Sequence, residues 1–185
     1  MIPLVQQRLR RTLDTLERVI TPQADAILQA ANTMLHAIMN GQKILACGAR
    51  ERSQLAAHFA RLMVGQFEHH RPGLPVISLQ EFPGGHEPYA KAIRALGGAD
   101  DILFVIARRD ADGMQPAIAA AHERGMVVIL LTGSNHAEQL TPIIHPQDPL
   151  ICLALENEHW VHEAELIIIH TLCDLIDRQL LGLTE

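Results

Sequence analysis

Apolar residues recur at helical spacing over residues 4–20, where Leu4, Leu9, Leu13, Leu16 and Ile20 are separated by charged and polar positions. Thr21-Pro22 opens a second amphipathic stretch, with Ile27, Ala30, Ala31, Met34, Leu35 and Ile38 along one stripe. After the Asn40-Gly41 break the pattern changes. Ile44, Leu45 and Ala46 are consecutive, which predicts a buried strand. From Ser53 the helical period returns at Leu55, Ala56, Phe59, Leu62 and Met63. Compact apolar runs at 75–79, 102–107, 126–132 and 150–155 predict four more strands, with helices at 86–96, 113–124 and 159–181 between and after them. Gly125 is placed as the glycine that ends the helix before it.

Strands that alternate with helices imply a parallel sheet with right-handed crossovers, covered on both faces. The expected architecture is α/β: a three-layer sandwich with a five-stranded parallel sheet, flavodoxin-like or Rossmann-like, preceded by two N-terminal helices. One domain spans 1–185, with 1–40 as oligomerisation helices and 41–185 as the α/β core. The two N-terminal stripes carry more apolar surface than one sheet face needs, so they either bury part of it against another subunit or simply cover their own sheet.

Composition narrows the function classes. The net charge is -6 and there are 21 acidic against 15 basic residues, the opposite of a surface built for direct nucleic-acid binding. No apolar run is long enough to span a membrane and no signal-peptide core is present, so a cytoplasmic location is expected. Cys47, Cys152 and Cys173 sit in apolar segments without C-x-x-C spacing and read as reduced core residues.

The apolar run that ends at Cys47-Gly48 feeds a helix through a tight turn, and such a turn lies at the carboxyl edge of the sheet, where open α/β folds bind ligands. Unpaired amides at a helix start favour anions. The turn itself, Ala49-Arg50-Glu51-Arg52, is bulky and charged where a phosphate cradle uses glycine and small hydroxyl residues.

Cys47, Gly48, Ala56, His58 and Phe59 stand in the register of the motif C-G-N-G-G-S-x-x-x-A-x-H-F. Phe67-Glu68, Arg71-Pro72, Leu74-Pro75, Tyr89-Ala90-Lys91, Arg94 to Gly97, Leu131-Thr132-Gly133 and Leu172 to Asp177 continue the match in order. The chain thereby resembles the SIS (sugar isomerase) domain family, in the branch that holds phosphoheptose isomerase and the DnaA initiator-associating protein. Its departures fall on the positions the family uses for chemistry. Ala49 to Arg52 replace N-G-G-S, and the acidic position after them is Leu55. Ala107 to Asp112 replace a serine- and threonine-rich phosphate loop, and the segment 80–88 shortens one that holds another acid in the family. Leu62 stands where the isomerases carry a glutamate that acts as acid and base, and on the last helix the family's glutamine and histidine become His162 and His170.

Four constellations follow. His58, His162 and His170 are candidate metal ligands: the resemblance implies a metal among the positions of His58, Leu62, His162 and His170, three of which remain capable ligands, and the last two, eight residues apart, lie about 80° beyond two full turns, so both could face one cleft. The competing reading is a set of hydrogen-bonded histidines; no cofactor is expected, and zinc is the ion the set would suit. Arg50, Arg52, Arg108 and Arg109, with Ser53, either rebuild an anion site from guanidinium forks or pair with Glu51, Asp110 and Asp112 and fill the pocket. Glu158, His159, His162, Glu163 and Glu165 read as residues favoured by the start of a helix. Leu180 and Leu181 either expose a small apolar patch for a protein partner or complete the core. The expected function is a catalytically degenerate oligomeric binding module, a homotetramer with a replication initiator as partner; the alternative is a phosphosugar isomerase with a remodelled site and His170 as its remaining acid or base.

Overall fold

The computed structural model describes residues 1–81, 87, 89–107, 114–133 and 140–183. Its elements are α1 (Ile2–Ile20), α2 (Ala24–Met39), β1 (Ile44–Gly48), α3 (Arg52–Val64), β2 (Val76–Ser78), α4 (Ala90–Leu96), β3 (Ile102–Ala107), α5 (Met114–Glu123), β4 (Val127–Gly133), β5 (Leu150–Leu153) and α6 (Glu158–Leu181). The five strands form one parallel sheet in the order β2-β1-β3-β4-β5. The expected α/β sandwich is therefore the observed one.

Alternation along each strand explains the layers. In β1, Ile44 and Ala46 face the core shared with α1, α2, α3 and α6, while Leu45 and Cys47 face α4 and α5. In β3, Ile102, Phe104 and Ile106 take the first side and Leu103, Val105 and Ala107 the second. Every residue of both strands is buried, which is why their sequences are uninterrupted apolar runs and not alternating ones.

α1 and α2 are joined by a single 3-10 turn at Thr21–Gln23, so the second α-helix begins at Ala24, later than Thr21-Pro22 suggested. Gly125 adopts φ +70° and its amide bonds to the carbonyl of His122, ending α5 as expected. Trp160 on α6 ties α1 down, with the Arg8 and Arg11 guanidinium carbons 5.5 and 5.1 Å from its ring centroid. The outer side of α1 has no such cover: Leu4, Leu9 and Leu13 are exposed. No helix among the described residues is long and apolar enough to cross a membrane.

Candidate functional site

The β1–α3 turn sits at the carboxyl edge of the sheet, as its sequence predicts. Gly48 is required there by contact, since a Cβ would stand 2.4 Å from the Arg52 carbonyl carbon. Tyr89 donates its hydroxyl to the Gly48 carbonyl at 2.7 Å and lies 3.2 Å from a Glu81 carboxylate oxygen. Arg50 takes a left-handed φ of 52°, and its amide donates to Glu81 Oε1 at 3.3 Å.

The amides that could cradle an anion are occupied from within. Arg52 N donates to the Ala49 carbonyl at 3.0 Å, Ser53 N to Arg50 at 3.0 Å and Gln54 N to Glu51 at 3.2 Å. A helix start binds phosphate through amides left over by the helix, and these three are taken by the turn itself.

Arg52 points inward and is 2% exposed. Its Nε donates to Glu165 Oε2 at 2.9 Å, one terminal nitrogen to Glu51 Oε1 at 2.7 Å and the other to Glu158 Oε2 at 3.0 Å. Three carboxylates thus surround one guanidinium. Two come from α6, whose start is fixed by Asn157: its Oδ1 accepts from the amides of His159 and Trp160. Glu165 is wholly buried, and burial pushes its carboxyl up to about 7, helped by the charges of Glu158 and Glu51 and opposed by Arg52. The helix-start reading holds for Glu158, in the first turn of α6, but not for Glu165, which lies in the second turn and is held by Arg52 and not by the helix dipole.

α3 and α6 run alongside each other, and the polar seam between them continues past Arg52. His58 Nε2 lies 2.9 Å from His170 Nε2, and Arg61 reaches His58 Nδ1 at 2.9 Å. A guanidinium only donates, so His58 Nδ1 accepts, its Nε2–H donates to His170, and His170 carries its proton on Nδ1. Burial and then the neighbouring His170 and Arg61 hold His58 below the ordinary imidazole range. Beyond the pair, the buried Arg71 and Asp177 close the seam.

The three-histidine set does not converge. His162 sits about 12 Å earlier along the helix than His170, two turns away. Its Nδ1 is 3.8 Å from Glu165 Oε2, without a hydrogen bond, and burial and then Arg52 lower its pKa. Among the described residues, the clusters whose donor atoms all lie within 4.8 Å are His122, His145 and Asp148, and Glu68, His69 and Asp174. Leu62, which the resemblance sets where the isomerases carry a glutamate, packs against the apolar core. The cysteines are unpaired, and burial pushes the Cys47 thiol up to about 12. Arg108, Arg109, Asp110 and Asp112 lie outside the described residues, as does the segment 82–86. The two leucines of the last helix part company: Leu180 packs against the core, whereas Leu181 and Leu183 are 40% and 41% exposed.

A family model for the SIS domain matches residues 9–133. The chain belongs to the SIS domain family. It is 37% identical over 167 residues to the DnaA initiator-associating protein DiaA of Cronobacter sakazakii, covering 84% of this chain and 85% of that protein. Among solved structures, a phosphoheptose isomerase from Francisella tularensis superposes with a TM-score of 0.84 at 30% identity, covering 96% of this chain and 98% of that one. A phosphoheptose isomerase from Neisseria gonorrhoeae gives 0.83 at 28% identity, covering 95% and 97%. This SIS chain therefore spans nearly the whole fold of these two isomerases. Its β1–α3 turn is filled by its own side chains. Sequence reasoning missed Glu165 as a partner of Arg52, although one signal was present: Val161, Ala164, Ile168, Ile169 and Leu172 form the buried stripe of α6, and Glu165 interrupts it.

Proposed function

We propose that this SIS-domain chain is a catalytically degenerate, oligomeric regulatory module whose partner is a replication initiator of the DnaA type. The observation that carries the reading is the 37% identity with DiaA across 84% of the chain, joined to a turn whose guanidinium and amides are already paired. Phosphosugar isomerisation requires a phosphate anchor and a group that moves a proton between adjacent carbons. Leu62 offers no proton acceptor and Arg52 is saturated by carboxylates. No cofactor is required for this role, and a cytoplasmic location follows from the partner.

The assembly is a homotetramer in this reading. Ile2, Val5, Leu9 and Leu13, all exposed, share one face of α1 that another subunit would cover. Leu181 and Leu183, repeated on each subunit, give weak apolar contacts that add up on a multivalent partner. The test is surface-immobilised DnaA binding by the wild type and by a Leu181→Ala, Leu183→Ala variant. The wild type binds, and the variant keeps its melting temperature and oligomeric state while affinity falls about tenfold or more. A wild type without affinity for DnaA rejects the partner; a variant that dissociates into smaller species shows the leucines to be structural.

A second reading, a phosphosugar isomerase, is favoured by the TM-score of 0.84 to an isomerase and by the His58–His170 contact beside the sheet. Turnover of a heptose phosphate separates the two.

A further inference from the structure

A second histidine cluster lies at the opposite edge of the sheet from Arg52. His122 occupies the last turn of α5, and His145 and Asp148 lie in the segment that leads into β5. The imidazoles of His122 and His145 are stacked, with centroids 3.7 Å apart and planes 13° from parallel. Asp148 has a side chain 1% exposed. Its Oδ1 accepts the Val128 amide at 2.9 Å, and its Oδ2 accepts the His145 amide at 2.7 Å and faces His122 Nε2 at 2.8 Å.

From this geometry we infer that His122, His145 and Asp148 form a binding site for a divalent transition-metal ion of the zinc class. One donor atom from each lies within 4.8 Å of the other two. Two imidazoles and one carboxylate are a donor set that zinc accepts readily, with a fourth position left for water. The carboxylate is aimed in advance, because two backbone amides hold it in place as outer partners hold the ligands of built metal sites. The carbonyl end of α5 adds partial negative charge beside His122. His145 is exposed, so its ring has room to tilt out of the stack and turn a lone pair toward the ion, at the cost of a single exposed contact from Gln147 Nε2 to its Nδ1 at 3.3 Å. His122 also borders an open hollow of about 680 Å³ beside α5, which gives the ion a route from solvent. Bound there, the metal pins the end of α5 to the entries of β4 and β5, away from the seam that holds His58 and His170.

The test is calorimetric titration of EDTA-stripped protein with zinc chloride in a His58→Ala, His170→Ala background, which removes the histidine pair between α3 and α6. That background binds one zinc per chain, and adding His145→Ala weakens binding about tenfold or more. His145 is exposed, so its replacement leaves folding intact by circular dichroism; His122→Gln in the same background gives the same loss. The inference is overturned by a background variant that takes up no zinc, or by one whose zinc binding is unchanged when His145 is replaced.

Discussion

Arg52 and Leu13 stand at opposite extremes of one molecule: a charged side chain 2% exposed, and a leucine 65% exposed. Each reverses the usual placement of its type. Inside, the reversal is fully compensated, since Nε and both terminal nitrogens of Arg52 meet carboxylates. Outside, nothing in a single chain compensates Leu13, Leu9 or Leu4. The contrast teaches where this chain can still interact. In the β1–α3 turn the Arg52 guanidinium and the amides of Arg52, Ser53 and Gln54 are taken from within, whereas an uncovered apolar helix face calls for another surface.

The largest way to break this contrast is Arg52→Ala. Removal of the guanidinium leaves Glu165 buried beside two further carboxylates, and breaking a buried pair in this way costs about 3–5 kcal/mol. Urea unfolding measures it as a lower midpoint at constant m-value. A loss under about 1 kcal/mol would place the cluster among solvated surface pairs.

Glu165→Gln sharpens the same side. The folded carboxyl titrates at about 7 and the unfolded one at 4.5, so between these values the folded chain holds a proton that the unfolded chain has released. Stability from this group is complete below pH 4.5 and declines by about 3 kcal/mol as pH rises to about 7. His58 and His162, whose pKa values are lowered, act in the other direction and cost stability as pH falls below 6.5. In Glu165→Gln the decline toward neutral pH disappears and the histidine arm remains. An unchanged pH profile would mean that Glu165 is ionised throughout.

On the outer side, Leu9→Glu with Leu13→Glu tests whether the apolar face is covered in solution. Charges placed on it should convert the assembly to smaller species by light scattering with little change in far-ultraviolet circular dichroism, as expected for a subunit contact. A wild type that is already monomeric at micromolar concentration contradicts the assembly.

The sequence was legible where a single local pattern decides the structure. The run at 102–107 is β3 residue for residue, because a strand buried on both faces has no polar position to blur it. Agreement weakens at ends: the strand expected at 150–155 stops at Leu153, where the Leu155 amide turns back to the Leu153 carbonyl. The site was less legible, for a physical reason. Arg52 and Glu165 are 113 positions apart, and no period along the chain connects an arginine in a turn to a carboxylate on the last helix. Periodicity reported that Glu165 sits on a buried stripe, not what would meet it there. His162 and His170 show the reverse error: their angular separation favours one cleft, but about 12 Å of helix rise parts them.

The central claim is that the paired turn and Leu62 leave this SIS scaffold without phosphosugar chemistry, and turnover of sedoheptulose 7-phosphate tests it most directly. Assayed with and without added zinc, the wild-type chain should give no product above the rate of buffer alone. Steady turnover that is lost in His170→Ala would contradict the account and restore the isomerase reading.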